Sequence, residues 1–228
     1  MSAPESPPPK GSPAGAAIAY AIALLLCWTA AWPISTWLQG QSPFFAQPFG
    51  NFLYWLVLRI LLWVLPSLWL IRRMGRPLRE IVGLAHDRSI LLWGGLAGII
   101  WGGKTVFYRL FVGLPLHPIV WDWSFVTAVI YVPFVEELAF RGAILCALQA
   151  RFRFWAANLI AGALFLAIHL PGWYFQDFFS MDVTVVAASV LGILFLGWIL
   201  GFVAHRAKSV AASTLAHMLN NLFQRFVE

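Results

Sequence analysis

Long apolar runs alternate with short polar turns along nearly the whole chain. Runs at about 16–38, 51–71, 90–112, 123–150, 154–170, 183–204 and 210–226 approach the roughly 20 residues that a helix needs to cross a hydrocarbon core. The pattern predicts an all-α, polytopic transmembrane helical bundle of about seven spans. Residues 1–15, rich in Pro, Ser, Gly and Ala, cannot bury a core and are expected to form a disordered tail. The run after them is longer than a signal-peptide core and is preceded only by Lys10, so it reads as a membrane helix rather than a cleaved leader. Polar loops are expected at 39–50 and 113–122. Pro133 should break or kink the fourth run, and Pro171-Gly172 should stop the fifth.

Composition agrees with a membrane protein. Of 228 residues, 61% are hydrophobic and only 11% are charged, against about 25% charged in a soluble domain. A net charge of +6 would suggest nucleic acid in a soluble protein. Here the basic residues gather in turns: Arg72, Arg73, Arg76, Arg79 and Arg88, then Arg151 and Arg153, then Arg206 and Lys208. These turns fall on one side of the layout, where they act as topology signals and contacts to anionic lipid. No nucleic-acid partner is expected. The alternate loops carry no Lys or Arg, which puts the N-terminus in the cytoplasm and the C-terminus outside, in a bacterial inner membrane. Cys27 and Cys146 lie in apolar runs without a CxxC pair and read as small core residues.

One stretch departs from the apolar pattern, Pro133-Phe134-Val135-Glu136-Glu137-Leu138-Ala139-Phe140-Arg141-Gly142. Charges at membrane depth are costly, so they are rare and face a cavity or one another. Glu137 and Arg141, four apart, share a helix face and can pair; Glu136 points about 100° away and is left to face a cavity. Two later runs add Phe165 with His169, and His217 with Asn221, again four apart. Counted from the basic turns at ~1.5 Å per residue, Glu136, His169 and Asn221 come out roughly 20, 22 and 17–18 Å deep. His217 is one turn nearer the cytoplasm. Similar depth on three helices favours one shared site between helices of the C-terminal half.

These residues resemble the CPBP family of glutamate-type intramembrane proteases, also called the CAAX-protease and bacteriocin-processing or Abi family. Its three motifs are matched in order by Glu136-Glu137 with Arg141, by Phe165 with His169, and by His217 with Asn221. The match covers about 120–228; residues 16–119 carry no family motif. The resemblance implies that Glu136 and His169 activate water and that His217 and Asn221 stabilise the oxyanion, with Glu137, Arg141 and Phe165 supporting. It implies no cofactor, with zinc held by Glu136, His169 and His217 as the alternative. The substrate it implies is a membrane-associated peptide or protein: a CAAX-type tail, a bacteriocin or a C-terminal sorting segment.

The residues themselves can fill these roles. A glutamate in a partly desolvated pocket can accept and return a proton, a histidine can position water, and His and Asn donate to an oxyanion. The usual His-Glu-x-x-His zinc spacing is absent. Two other readings use the same residues: a transporter or channel with a polar permeation path, and a non-catalytic immunity or scaffold protein of the same fold. Elsewhere, Arg59, Lys104 and Arg109 read as snorkelling cations, and His86 and His117 as loop residues. Trp121 and Trp123 read as interfacial anchors. Gly94-Gly95, Gly98 and Gly102-Gly103 read as a small-residue packing face.

Overall fold

The computed structural model describes residues 12–83 and 87–227, helices joined by turns and by an irregular segment over 114–122. α1 (Pro13–Gln41) opens with the Ser12 hydroxyl accepting from the Gly15 N–H at 3.1 Å. The expected tail therefore ends sooner than residue 15; its first eleven residues, like His86, lie outside the described part. α2 (Pro48–Arg73) follows almost directly, because Pro43–Ala46 forms a further helical turn where an open loop was expected. Then come α3 (Ile90–Phe111) and α4, from Trp123 to Leu148. The bundle closes with α5 (Phe154–Phe175), α6 (Val183–Ala207) and α7 (Val210–Gln224).

Five of these, α1, α2, α3, α5 and α6, are long and apolar enough to cross a membrane. α4 carries the paired glutamates, and α7 is only 15 residues long. α4 is the centre of the bundle. Every residue from Val135 to Leu145 is buried, which marks a helix enclosed on all sides rather than one facing lipid. α1, α2, α5, α6 and α7 contact it. The outward faces of α1, α3 and α6 carry exposed Leu26, Ile99, Phe107 and Leu191, as lipid contact requires.

Pro133 does not break α4. A wide turn over Val126–Tyr131 precedes it, with the Val132 N–H reaching back to the Thr127 carbonyl, and backbone angles stay helical on both sides. Such a turn absorbs a residue without a donor. The glutamates consequently sit inside a continuous helix, and a stabilising helix N-terminus plays no part in holding them. A second wide turn, Leu138–Leu145, begins directly after them. Pro171 likewise does not end α5: the helix bends at Ile168 and His169 and resumes over Leu170–Phe175.

Close packing fixes the remaining helices. On α3, Gly94, Gly98 and Gly102 face α7, where an added Cβ would run into Ala212, Leu219 and Asn220; Gly95 and Gly103 meet nothing within 4 Å. The small-residue face thus exists, and it is made by the three glycines spaced four residues apart. α5 meets α6 at Gly162, Gly197 and Gly201. α1 is tied to α2 by the Tyr20 hydroxyl, which bonds the Trp63 carbonyl at 3.1 Å and Ser67 at 3.2 Å.

Candidate active site

Glu137 is the anchor of the polar cluster and is fully buried. Its Oε1 accepts from Arg141 Nη1 at 2.8 Å and lies 3.0 Å from His217 Nδ1. Arg141 also donates from Nη2 to the Gly197 carbonyl at 2.7 Å, and its guanidinium stacks on the Phe165 ring at 4.5 Å. One ion pair therefore ties α4 to α5, α6 and α7. With Nδ1 donating to Glu137, His217 is left with Nε2 free, 4.0 Å from Glu136 Oε2. This tautomer follows from the hydrogen bond.

His169 owes its setting to the bend in α5. Its N–H bonds the Leu166 carbonyl, one residue short of the usual helical partner, and so leaves the Phe165 carbonyl open. The imidazole Nδ1 takes that place at 2.7 Å, again freeing Nε2. Glu136, His169, Trp28, Trp32, Arg59 and Trp63 are among the residues around a cavity of about 160 Å³, room for a few waters. The Phe165 ring lies between the two histidines, 4.9 Å from His169 and 6.0 Å from His217.

Asn221 is placed differently. Its amide donates to the Ala128 carbonyl at 2.8 Å and its oxygen accepts from Asn220 at 2.9 Å. In a wide turn an N–H at residue 133 would bond the Ala128 carbonyl. Pro133 has none, and Asn221 satisfies the carbonyl instead.

Two contributions escaped the sequence pattern. The α1 and α2 helices, which carry no motif, build one wall of the cavity from Trp28, Trp32 and Trp63. Arg59, expected to snorkel, turns inward: its guanidinium lies 5.2 Å from the Trp28 ring and 5.9 Å from Trp55 and interacts with the Glu136 charge. Its Nε is buried with no hydrogen-bond partner among the described residues. Its signal was a lone arginine mid-run, opposite an otherwise unmatched glutamate. With both histidines neutral, Glu136, Glu137, Arg59 and Arg141 sum to zero charge, the condition under which ions persist in a membrane interior.

Lys104 and Arg109 do stay outside this cluster. Lys104 sits 3.2 Å over the Trp101 ring, and Arg109 and His117 hold the C-terminal turn, bonding the carbonyls of Val227 and Phe226. Among the described residues no three His, Cys, Asp or Glu side chains are grouped to hold a metal ion. Glu136, His169 and His217 as arranged therefore do not make the zinc set.

Residues 118–223, from just before α4 into the last turn of α7, match the family described as type II CAAX prenyl endopeptidase Rce1-like. The matched stretch, a little under half of the chain, is similar to a CAAX-protease family domain. Comparisons with curated proteins and with solved structures give no match. All the motif residues fall inside the Rce1-like domain, whereas Arg59 and the tryptophan wall lie before it.

Proposed function

We propose that the protein is an intramembrane endopeptidase that hydrolyses a peptide bond of a membrane-associated substrate. The supporting observation is that Glu136 and His169, from two helices, line one small cavity, and that His217, from a third, brings Nε2 to 4.0 Å from the Glu136 carboxylate. Glu136 takes a proton from a water held between its carboxylate and His169 Nε2, and the hydroxide attacks the scissile carbonyl. His217, held by Glu137, enters the step as the imidazolium, having taken its Nε2 proton from water before the attack, and donates from Nε2 to the oxyanion while keeping that proton. Asn221 is the second donor through the amide N–H that Ala128 does not use. Glu136 then passes its proton to the leaving amine. Arg141 and Phe165 position Glu137 and the two imidazoles.

Substrate reaches the cavity through an adjoining groove of about 610 Å³ between α2 and α4, which shares Trp32 and Arg59 with it and is walled by Phe52, Trp55 and Trp123. In this reading α1 to α7 all enter the bilayer, and 120–228 is the catalytic region, with 16–119 supplying a wall. The N-terminus is cytoplasmic, the membrane a bacterial inner one, and the substrate a CAAX-type tail, bacteriocin or sorting segment. The test compares membrane proteomes of cells carrying the wild type and Glu136→Gln. Loss of a general base costs about 10²–10⁴-fold, so unprocessed precursors should accumulate in the variant. Identical precursor profiles, with both proteins present at equal levels, would refute the catalytic assignment.

A further inference from the structure

A second cavity lies on the basic face, apart from the catalytic one. About 380 Å³ in volume, it lies between the segment that follows α2, the last turns of α4 and α6, and the start of α7. Arg76, Gln149, His205, Lys208 and Ser209 line it, and Arg141 closes its inner end. The acid on its wall, Glu80, is already tied to Arg76 at 2.6 Å. Arg141 is likewise spent on Glu137 and Gly197. Lys208 is exposed, and no carboxylate lies within ion-pair distance of it among the described residues.

The backbone at Lys208 adds a separate observation. It follows the end of α6 at φ 52°, in the left-handed region, a place that glycine fills with less strain. Lys208 takes that position with its side chain exposed at the cavity. Beside it, the Ser209 hydroxyl donates to the Val82 carbonyl, so α7 starts without a side-chain cap. Its first-turn N–H groups remain as donors next to the cations.

We propose that this cavity binds the phosphate of an anionic lipid headgroup. The last turns of α4 and α6, the start of α7 and the segment after α2 converge on it at the Arg- and Lys-rich end of the bundle, which sets it at the level where lipid phosphates lie. It offers a mobile ammonium, a guanidinium, an amide and uncapped backbone donors, the groups that recognise phosphate. At its inner end Arg141 also holds Glu137, which in turn holds His217, so a bound lipid sits two hydrogen bonds from the catalytic cluster. The binding claim itself does not depend on proteolysis.

The experiment titrates purified full-length protein in neutral detergent with phosphatidylglycerol, phosphatidylcholine or inorganic phosphate. Retained lipid is read by native mass spectrometry, and the thermal midpoint is followed in parallel. Phosphatidylglycerol should be retained and raise the midpoint, and phosphatidylcholine should do neither. Lys208→Gly should weaken the phosphatidylglycerol effect about fivefold, as expected for one interfacial cation. Its lipid-free midpoint should be unchanged or higher, because glycine relieves the left-handed turn. Arg76→Gln should show a similar loss of binding. A midpoint rise of the same size with inorganic phosphate alone would assign the cavity to free phosphate instead of lipid. Equal retention of phosphatidylglycerol by the wild type and the Lys208→Gly/Arg76→Gln double variant would overturn the site.

Discussion

Pro133 has no N–H to give, and the carbonyl this leaves over in the wide turn is that of Ala128, 2.8 Å from the Asn221 amide. Asn221 thus serves the backbone of α4 with one N–H and, in the proposed mechanism, the oxyanion with the other. The two uses can be separated. Asn221→Ala alone should destabilise the protein by about 1–3 kcal/mol, the cost of an unsatisfied buried carbonyl, and should also lower turnover. Pro133→Ala supplies the missing donor, so in that background the stability loss should shrink. Turnover of a precursor found in the Glu136→Gln comparison should nonetheless stay down roughly 10²-fold. Recovery of turnover together with stability would leave Asn221 a purely structural role. Arg59 illustrates the opposite relation between residue and pattern. It lies beside Glu136 in space and in no motif with it, because a counter-charge from another helix needs only proximity and leaves no spacing in the sequence.

At the scale of elements, α7 carries His217 and is set in place by α3, a helix outside the family match. Gly98 is a tight position: an added Cβ would lie 2.6 Å from the Leu219 Cβ, whereas at Gly103 it would meet nothing within 4 Å. Gly98→Ala should therefore push α7 away and cost about 1–3 kcal/mol as overpacking, with a parallel loss of activity as His217 leaves Glu137. Gly103→Ala should be neutral, or stabilising by up to about 1 kcal/mol through helix propensity. Thermal melts of the two variants in detergent check this; equal midpoints would contradict the packing argument. The contrast also indicates what could be read in advance. Helix limits were legible because apolar runs and basic turns dictate them, and so was the Glu137–Arg141 pair, since residues four apart must meet on a helix. The effects of Pro133 and Pro171 were not, because a wide turn and a bend let α4 and α5 run on. Nor was the half of the glycine stripe in use, since that depends on how α3 is rotated against α7.

On the scale of the whole molecule, α7 is the element that makes topology a real question. Its 15 residues reach only about 22 Å, short of a hydrocarbon core of about 30 Å. Its far end is not left loose. The His117 N–H donates to the Phe226 carbonyl at 2.8 Å, and Arg109 bonds the Val227 carbonyl at 2.5 Å, so the last residues are moored to the segment joining α3 and α4. A short helix can complete a crossing when such a segment supplies polar partners at the far face. The turns rich in Arg and Lys lie at the opposite ends of the helices, around Arg72, Arg151 and Lys208. In the proposed topology positive charge keeps that face in the cytoplasm and the C-terminus lies outside. Alkaline phosphatase fused after residue 228 should consequently be active in a bacterial host. The same reporter inserted in the turn between α4 and α5 should be inactive, while a fluorescent protein placed there should fluoresce. A silent phosphatase and a bright fluorescent protein at the C-terminus would mean that α7 turns back before crossing, and the catalytic cavity would then have to open on the cytoplasmic side.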